Sequence, residues 1–205
     1  MSRTTRIAAR TVSAAAVVVL GLSLGACSGG AEPAAAPSES APASASASPS
    51  PTELSPEDKA VKLAEPVVHE YFRLEDKALQ NPSKFKYQWF GEVSVGSAQN
   101  YLEQEHSAAG EQGLHQVGAT EVASVEVNEV DLTYKPKLTP PEIPFVEFTV
   151  CYDVTDLDTV DKSGKSIIPE SRKDRGVVEV GVANYEYPDG PWLVDIVEYQ
   201  EDETC

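Results

Sequence analysis

Reactive side chains are scarce in this chain: three cysteines, three histidines and one methionine in 205 residues. The histidines His69, His106 and His115 form no H-E-x-x-H or H-x-H, and no cysteine pair has metal-ligand spacing, which argues against zinc and any resident metal. No G-x-S-x-G elbow is present, nor a glycine loop able to cradle phosphate; Gly91 and Gly96 are merely a spaced pair. Basic residues are also few, sixteen against thirty-three acidic ones. A surface so charged repels phosphate backbones and gains nothing from anionic head groups, so nucleic acid is excluded as a partner while cationic ligands or basic proteins are allowed. No cofactor is implied.

What is present begins at the N-terminus. Arg3, Arg6 and Arg10 make a positive region, followed by an uncharged, mostly apolar run from Thr11 to Leu24. That layout reads as a secretory signal, too short for a membrane-spanning helix. Leu24-Gly25-Ala26-Cys27 then resembles a bacterial lipobox, whose cysteine is diacylated and becomes the first residue of the mature protein. The resemblance implies a signal peptide over residues 1–26, a lipidated Cys27, and a protein held by its lipid on the outer face of the cytoplasmic membrane. Two acyl chains anchor stably where one is marginal. The first twenty-six residues hold three of the basic residues and none of the acidic ones, leaving a formal −20 on the remainder.

Once Cys27 carries lipid, Cys151 and Cys205 are left in an oxidising compartment, where pairing is the default. Their bridge would close a loop of about 55 residues, worth on the order of 4 kcal/mol in the chain-entropy account.

Residues 27–54 are dominated by Ser, Ala, Pro, Gly and Glu, and from Ser28 to Pro51 hold no aromatic or branched aliphatic residue. Such a stretch cannot offset its ordering entropy and reads as a disordered tether, biased by its prolines towards extended conformations. A single folded domain is expected over 55–205. Ser55, Pro56 and Asp58 make a capping-box-like start. Ala60, Leu63, Ala64, Val67, Val68, Tyr71, Phe72 and then Leu74 or Glu75 continue a helix to about Leu79, with Pro66 expected to kink or break it. A second helix should run from a Ser97 cap to about His106 and end at Gly110 and Gly113.

Beyond Thr120 the apolar period becomes two. Val125 to Tyr134, Phe145 to Val154, Val177 to Tyr187 and Trp192 to Tyr199 read as four strands, with a bulge at Asn128-Glu129 and a tight turn at Pro188-Asp189-Gly190-Pro191. Helices followed by consecutive antiparallel strands predict an α+β fold, with helices packed on a curved four-stranded antiparallel sheet. In that register Cys151 and Cys205 flank an intervening strand, roughly 9–10 Å apart if both stay in plane. The bridge then requires residues 201–204 to leave the sheet and fold across a face.

This order of elements, with Cys151-Tyr152-Asp153, the Pro-Asp-Gly-Pro-Trp192 hairpin and Cys205, resembles small exported lipoproteins of high-GC Gram-positive bacteria and their phages. Their cone-shaped domain is like that of nuclear transport factor two and ketosteroid isomerase. The resemblance covers 55–205 and implies a cone-like domain open to many activities. The leading expectation is a non-enzymatic module binding a small ligand or an envelope protein. The alternative is an isomerase- or hydrolase-like enzyme using the cone interior, with Asp195 and a tyrosine as acid–base pair. A phage-type exclusion lipoprotein is a further alternative.

No residue matches a catalytic motif closely enough to be given a role. Tyr71, Trp89, Tyr185 and Asp195 are the residues expected to line a ligand pocket: aromatic walls, and a carboxylate that interrupts an apolar run. The acid-rich stretch Asp153 to Gly164 departs from calcium-loop spacing, with Val160 at a ligand position, and reads as a charged hairpin loop.

Overall fold

A computed structural model describes residues 53–205 of the chain. The expected signal peptide, Cys27 and nearly all of the expected tether lie outside the described residues. The domain is α+β, with helices packed on antiparallel sheet.

Helix α1 spans Pro56–Gln80 and starts as its sequence demands: the Ser55 hydroxyl accepts from the Asp58 amide at 3.0 Å. Pro66 does not divide it. That proline lies on the exposed side, so the carbonyl it leaves without a donor faces water while Ala64 and Val68 beside it are buried. A 3₁₀ helix follows over Tyr87–Glu92, then α2 over Gly96–Gln112. Helix α2 begins at Gly96, capped by Val95, and runs through Gly110 to the left-handed Gly113, longer at both ends than the Ser97–His106 expectation. Ser97 is not the cap because its hydroxyl is engaged elsewhere, donating to the Asp195 carbonyl at 2.8 Å.

The main sheet has strand order β2 (Glu121–Asp131), β3 (Phe145–Asp153), β5 (Arg175–Ala183) and β6 (Leu193–Gln200), all antiparallel. Period-two alternation sorts its faces: Val146, Phe148, Val150, Val178, Val180, Val182 and Val194 are fully buried beneath the helices. The expected bulge appears as a register shift between Val127 and Glu129, and a second lies between Val122 and Ser124. Two three-residue strands, β1 (His115–Val117) and β4 (Asp158–Val160), form a separate small sheet that period alone did not reveal. The stretch at Val93 to Val95 runs alongside Val194 and covers the start of β6, with two backbone hydrogen bonds of 2.9 Å.

The tight Pro-Asp-Gly-Pro turn is a correction. Strand β5 stops at Ala183 and β6 starts at Leu193, so the connection takes residues 184–192. Buried Asn184 ends the strand early, its side chain donating to the Gly190 carbonyl and accepting from the Glu186 amide.

Cys151 and Cys205 are joined, with Cα atoms 5.8 Å apart. Strand β5 does intervene between β3 and β6. After Gln200 the tail turns, the Glu203 amide returning to the Gln200 carbonyl at 3.1 Å, and Cys205 Sγ settles 3.2 Å from the Gly176 carbonyl oxygen. The crossing falls at Gly176, which carries no side chain and whose opposite face is occupied by the ring of Tyr152.

Candidate functional site

Two clusters of tyrosine and carboxylate stand on opposite sides of the main sheet. The first is on the face away from the helices. Asp195 sits at an irregularity of β6: Val194 pairs with Val182 and Ile196 with Gly181, leaving Asp195 as the extra residue. A bulge re-aims a side chain, and here it turns the carboxylate towards Tyr185, whose hydroxyl donates to Asp195 Oδ2 at 2.8 Å. Asp195 also rests against the first residue of α2. Gly96 has φ +60°, and a Cβ there would collide with the Asp195 carboxyl, so that position needs glycine for both conformation and room. The tyrosine is fixed in turn by Tyr134, whose hydroxyl donates to the Tyr185 carbonyl at 3.0 Å.

Around this pair lies a groove of about 490 Å³. Phe145, Ala183 and Ile196 give it an apolar floor beside Gly181, while Asp131, Glu142, Glu147 and Asp195 bring carboxylates to its sides. The Thr133 hydroxyl, then its amide at 2.7 Å, donate to Asp131 and hold its carboxyl below the usual range. Burial, then the hydrogen bond to Asp195 and its charge, push Tyr185 up to about 12, so its hydroxyl remains a donor across the physiological range.

The second cluster lies on the helix-covered face, at its edge: Tyr71 is buried, Glu75 is partly buried, and Tyr101 and Tyr199 each keep an exposed side. Tyr71 is fully buried and its hydroxyl has no partner. One turn along α1, Glu75 is half-buried and close to Tyr101 of α2 and Tyr199 of β6. Tyr199 meets Tyr152 edge-on with ring centroids 5.6 Å apart and Tyr101 at 6.1 Å. Desolvation, then the charges of Asp76 and Glu105, raise Glu75 to about 8. Among the described residues no ion pair reaches Glu75. Neighbouring Asp76 is buried too, yet it accepts from Gln116 at 2.6 Å and from the amide and hydroxyl of Thr120 at 3.0 Å each, tying α1 to the start of β2.

Of the four residues expected to share a pocket, Tyr185 and Asp195 therefore meet, but in the open groove and not beneath the helices. Tyr71 lies inside the core. Trp89 lies elsewhere, packed edge-on against Phe85 at 5.1 Å with Lys77 and Lys86 ammoniums 5.0 and 5.9 Å from its ring centre. Of the two expected continuations of the apolar stripe, Leu74 is the one buried in the core, while Glu75 beside it is partly buried and is the carboxylate on the covered face. Its signal was the four-residue step from Tyr71.

Asp153, Asp158 and Asp161 are taken up by Thr155, Ser166 and Ser163 in their own turns, and no cluster of metal-ligating side chains occurs among the described residues. His106 is a core residue: its Nε2 lies 2.9 Å from the Pro82 carbonyl, so that nitrogen carries the proton.

No protein-family model matches the chain, and no curated protein matches it. Among solved structures, the intermembrane space region of the chloroplast protein ARC6 is similar at 12% identity. The match covers 69% of this chain and 96% of that one, with a TM-score of 0.45, an overlap that says nothing about what either binds.

Proposed function

We propose that this protein is an exported lipoprotein, anchored through Cys27 on the outer face of the cytoplasmic membrane, and that its cone-like domain over 55–205, of the nuclear transport factor two and ketosteroid isomerase superfamily, is a non-enzymatic binding module. The groove beside Tyr185 and Asp195 carries the reading. It combines an apolar floor with a carboxylate positioned by a bulge, a glycine and a phenol, which is how a small-ligand site fixes orientation. The bridge supports the anchor indirectly: with Cys151 and Cys205 joined, Cys27 is the remaining cysteine.

Labelled palmitate should enter the wild-type protein, and Cys27→Ala should release it from the membrane fraction; equal membrane retention of the variant would end the anchoring proposal. Native mass spectrometry of the protein taken from its host envelope should show an added mass that a denatured control lacks. Loss of that mass in Gly181→Leu, which fills the groove floor, would place the ligand there; its persistence would move the site.

A second reading, an isomerase- or hydrolase-like enzyme, draws on Glu75 and not on Asp195. A carboxyl raised to about 8 among tyrosines has the proton affinity of a general base near neutral pH. That reading requires turnover of some small substrate to vanish in Glu75→Gln while the fold persists.

A further inference from the structure

We infer that the groove over β3, β5 and β6 is selective for a small organic cation, an ammonium or guanidinium carried on an apolar body. The inference rests on the groove being the ligand seat, and adds the chemistry of what sits there. Its volume of about 490 Å³ falls among small-molecule sites, which run roughly from 300 to 1,000 Å³. Four carboxylates face it, from Asp131, Glu142, Glu147 and Asp195, and no lysine, arginine or histidine belongs to its lining. Lys135 compensates part of this charge, its ammonium pairing with Glu142 at 2.7 Å and acting on Asp131, and among the described residues no ion pair reaches Asp131, Glu147 or Asp195.

An anion would meet uncompensated repulsion in this groove. A neutral amphiphile would gain the floor and nothing from the walls. A bare inorganic cation would gain the walls but leave Phe145, Ala183 and Ile196 wet. An organic cation answers both, with its apolar body on the floor and its charge between Asp195 and Glu147. The Tyr185 ring adds an electron-rich surface, and its hydroxyl already holds one oxygen of Asp195, so the carboxylate is oriented before any ligand arrives.

Three probes of one shape separate these terms: 3-phenylpropylammonium, 3-phenylpropanol and 3-phenylpropionate, titrated into the whole chain while backbone amide signals are followed by nuclear magnetic resonance. The ammonium should move the signals of Gly181, Ala183 and Ile196, bind about tenfold or more tightly than the alcohol, and weaken with added salt. The carboxylate probe should leave those signals in place. Asp195→Asn and, separately, Glu147→Gln should each cut the ammonium preference several-fold. Glu170→Gln removes the same charge outside the lining and should change nothing.

Equal binding of alcohol and ammonium in the groove would overturn the cation selectivity while leaving the groove as a ligand seat. Equal weakening by Glu170→Gln and Asp195→Asn would overturn it as well, reducing the effect to attraction by net charge. Groove signals that respond to none of the three probes would overturn both the selectivity and the seat.

Discussion

The two faces of the main sheet carry the same chemistry, tyrosine beside carboxylate, differently satisfied. On the open face Tyr185 donates to Asp195 at 2.8 Å, and the pair is held in place by Tyr134 and Gly96. On the covered face Glu75 sits among Tyr71, Tyr101 and Tyr199 without an ion pair, beside the charges of Asp76 and Glu105. The lesson concerns satisfaction, not composition. An exposed pair that is hydrogen-bonded is poised for a ligand, whereas a partly buried carboxylate without a counter-charge is a liability the fold carries until it is protonated.

That contrast can be broken most forcefully at Glu75. Its folded carboxyl lies at about 8, above the 4.5 of an unfolded glutamate. Between those values the unfolded chain gives up a proton that the folded chain keeps. Stability is therefore full below about pH 4.5 and is lost as pH rises through about 8, by at most about 5 kcal/mol in all. Asp76, also raised by burial, contributes with the same sign. Glu75→Gln should remove most of the slope and raise the melting temperature at pH 8.5 with little change at pH 4.5, as read by thermal unfolding at the two pH values. A variant as pH-dependent as the wild type would show that the partly buried carboxyl is solvated after all.

Gly96→Ala tests the support of the open pair. A side chain there must adopt φ +60° and displace the Asp195 carboxyl, at a cost of about 1–3 kcal/mol. Chemical denaturation would measure the loss, and an unchanged midpoint would mean that Asp195 moves freely. Tyr185→Phe removes one partly exposed hydrogen bond and should destabilise by about 1 kcal/mol or less. The same substitution should delete a tyrosine that ionises near pH 12 in an ultraviolet titration. The smallest effect belongs to Gly181→Ala, whose added Cβ would stand 3.6 Å from Ile196 Cβ in ordinary contact. Stability should move by no more than about 0.5 kcal/mol, while ligand affinity in the groove falls.

These regions were unequally legible in the sequence. Ser55, Pro56 and Asp58 announced α1, and the strict alternation from Val146 to Val150 announced the buried face of β3, because both signals are local and physical. The bulge at Asn128-Glu129 showed as a slip in the same alternation. The bulge that turns Asp195 towards Tyr185 left no such trace, since Val194, Ile196 and Val197 are apolar on both sides of it and no phase is broken. A helix one residue wide of its ideal face places either Leu74 or Glu75 inward, and the packing takes Leu74 into the core and leaves Glu75 partly buried beside it. Strands β1 and β4 are too short for any period, and pair through contacts distant in the chain. The cysteine pairing could be argued from chemistry alone, whereas its route across the end of β5 depends on where β6 stops.

One feature of α1 gives the domain a direction. Its first turn lies against the connection after β5, where Pro56, Ala60 and Leu63 share a cleft of about 290 Å³ with Tyr187 and Trp192. The chain therefore enters at the end of the sheet that holds Ala183, Tyr185 and Asp195, and the disulfide closes the opposite end. A group joined just ahead of Ser55 is therefore carried at the groove's end of the sheet, and one attached beside the disulfide at the far end.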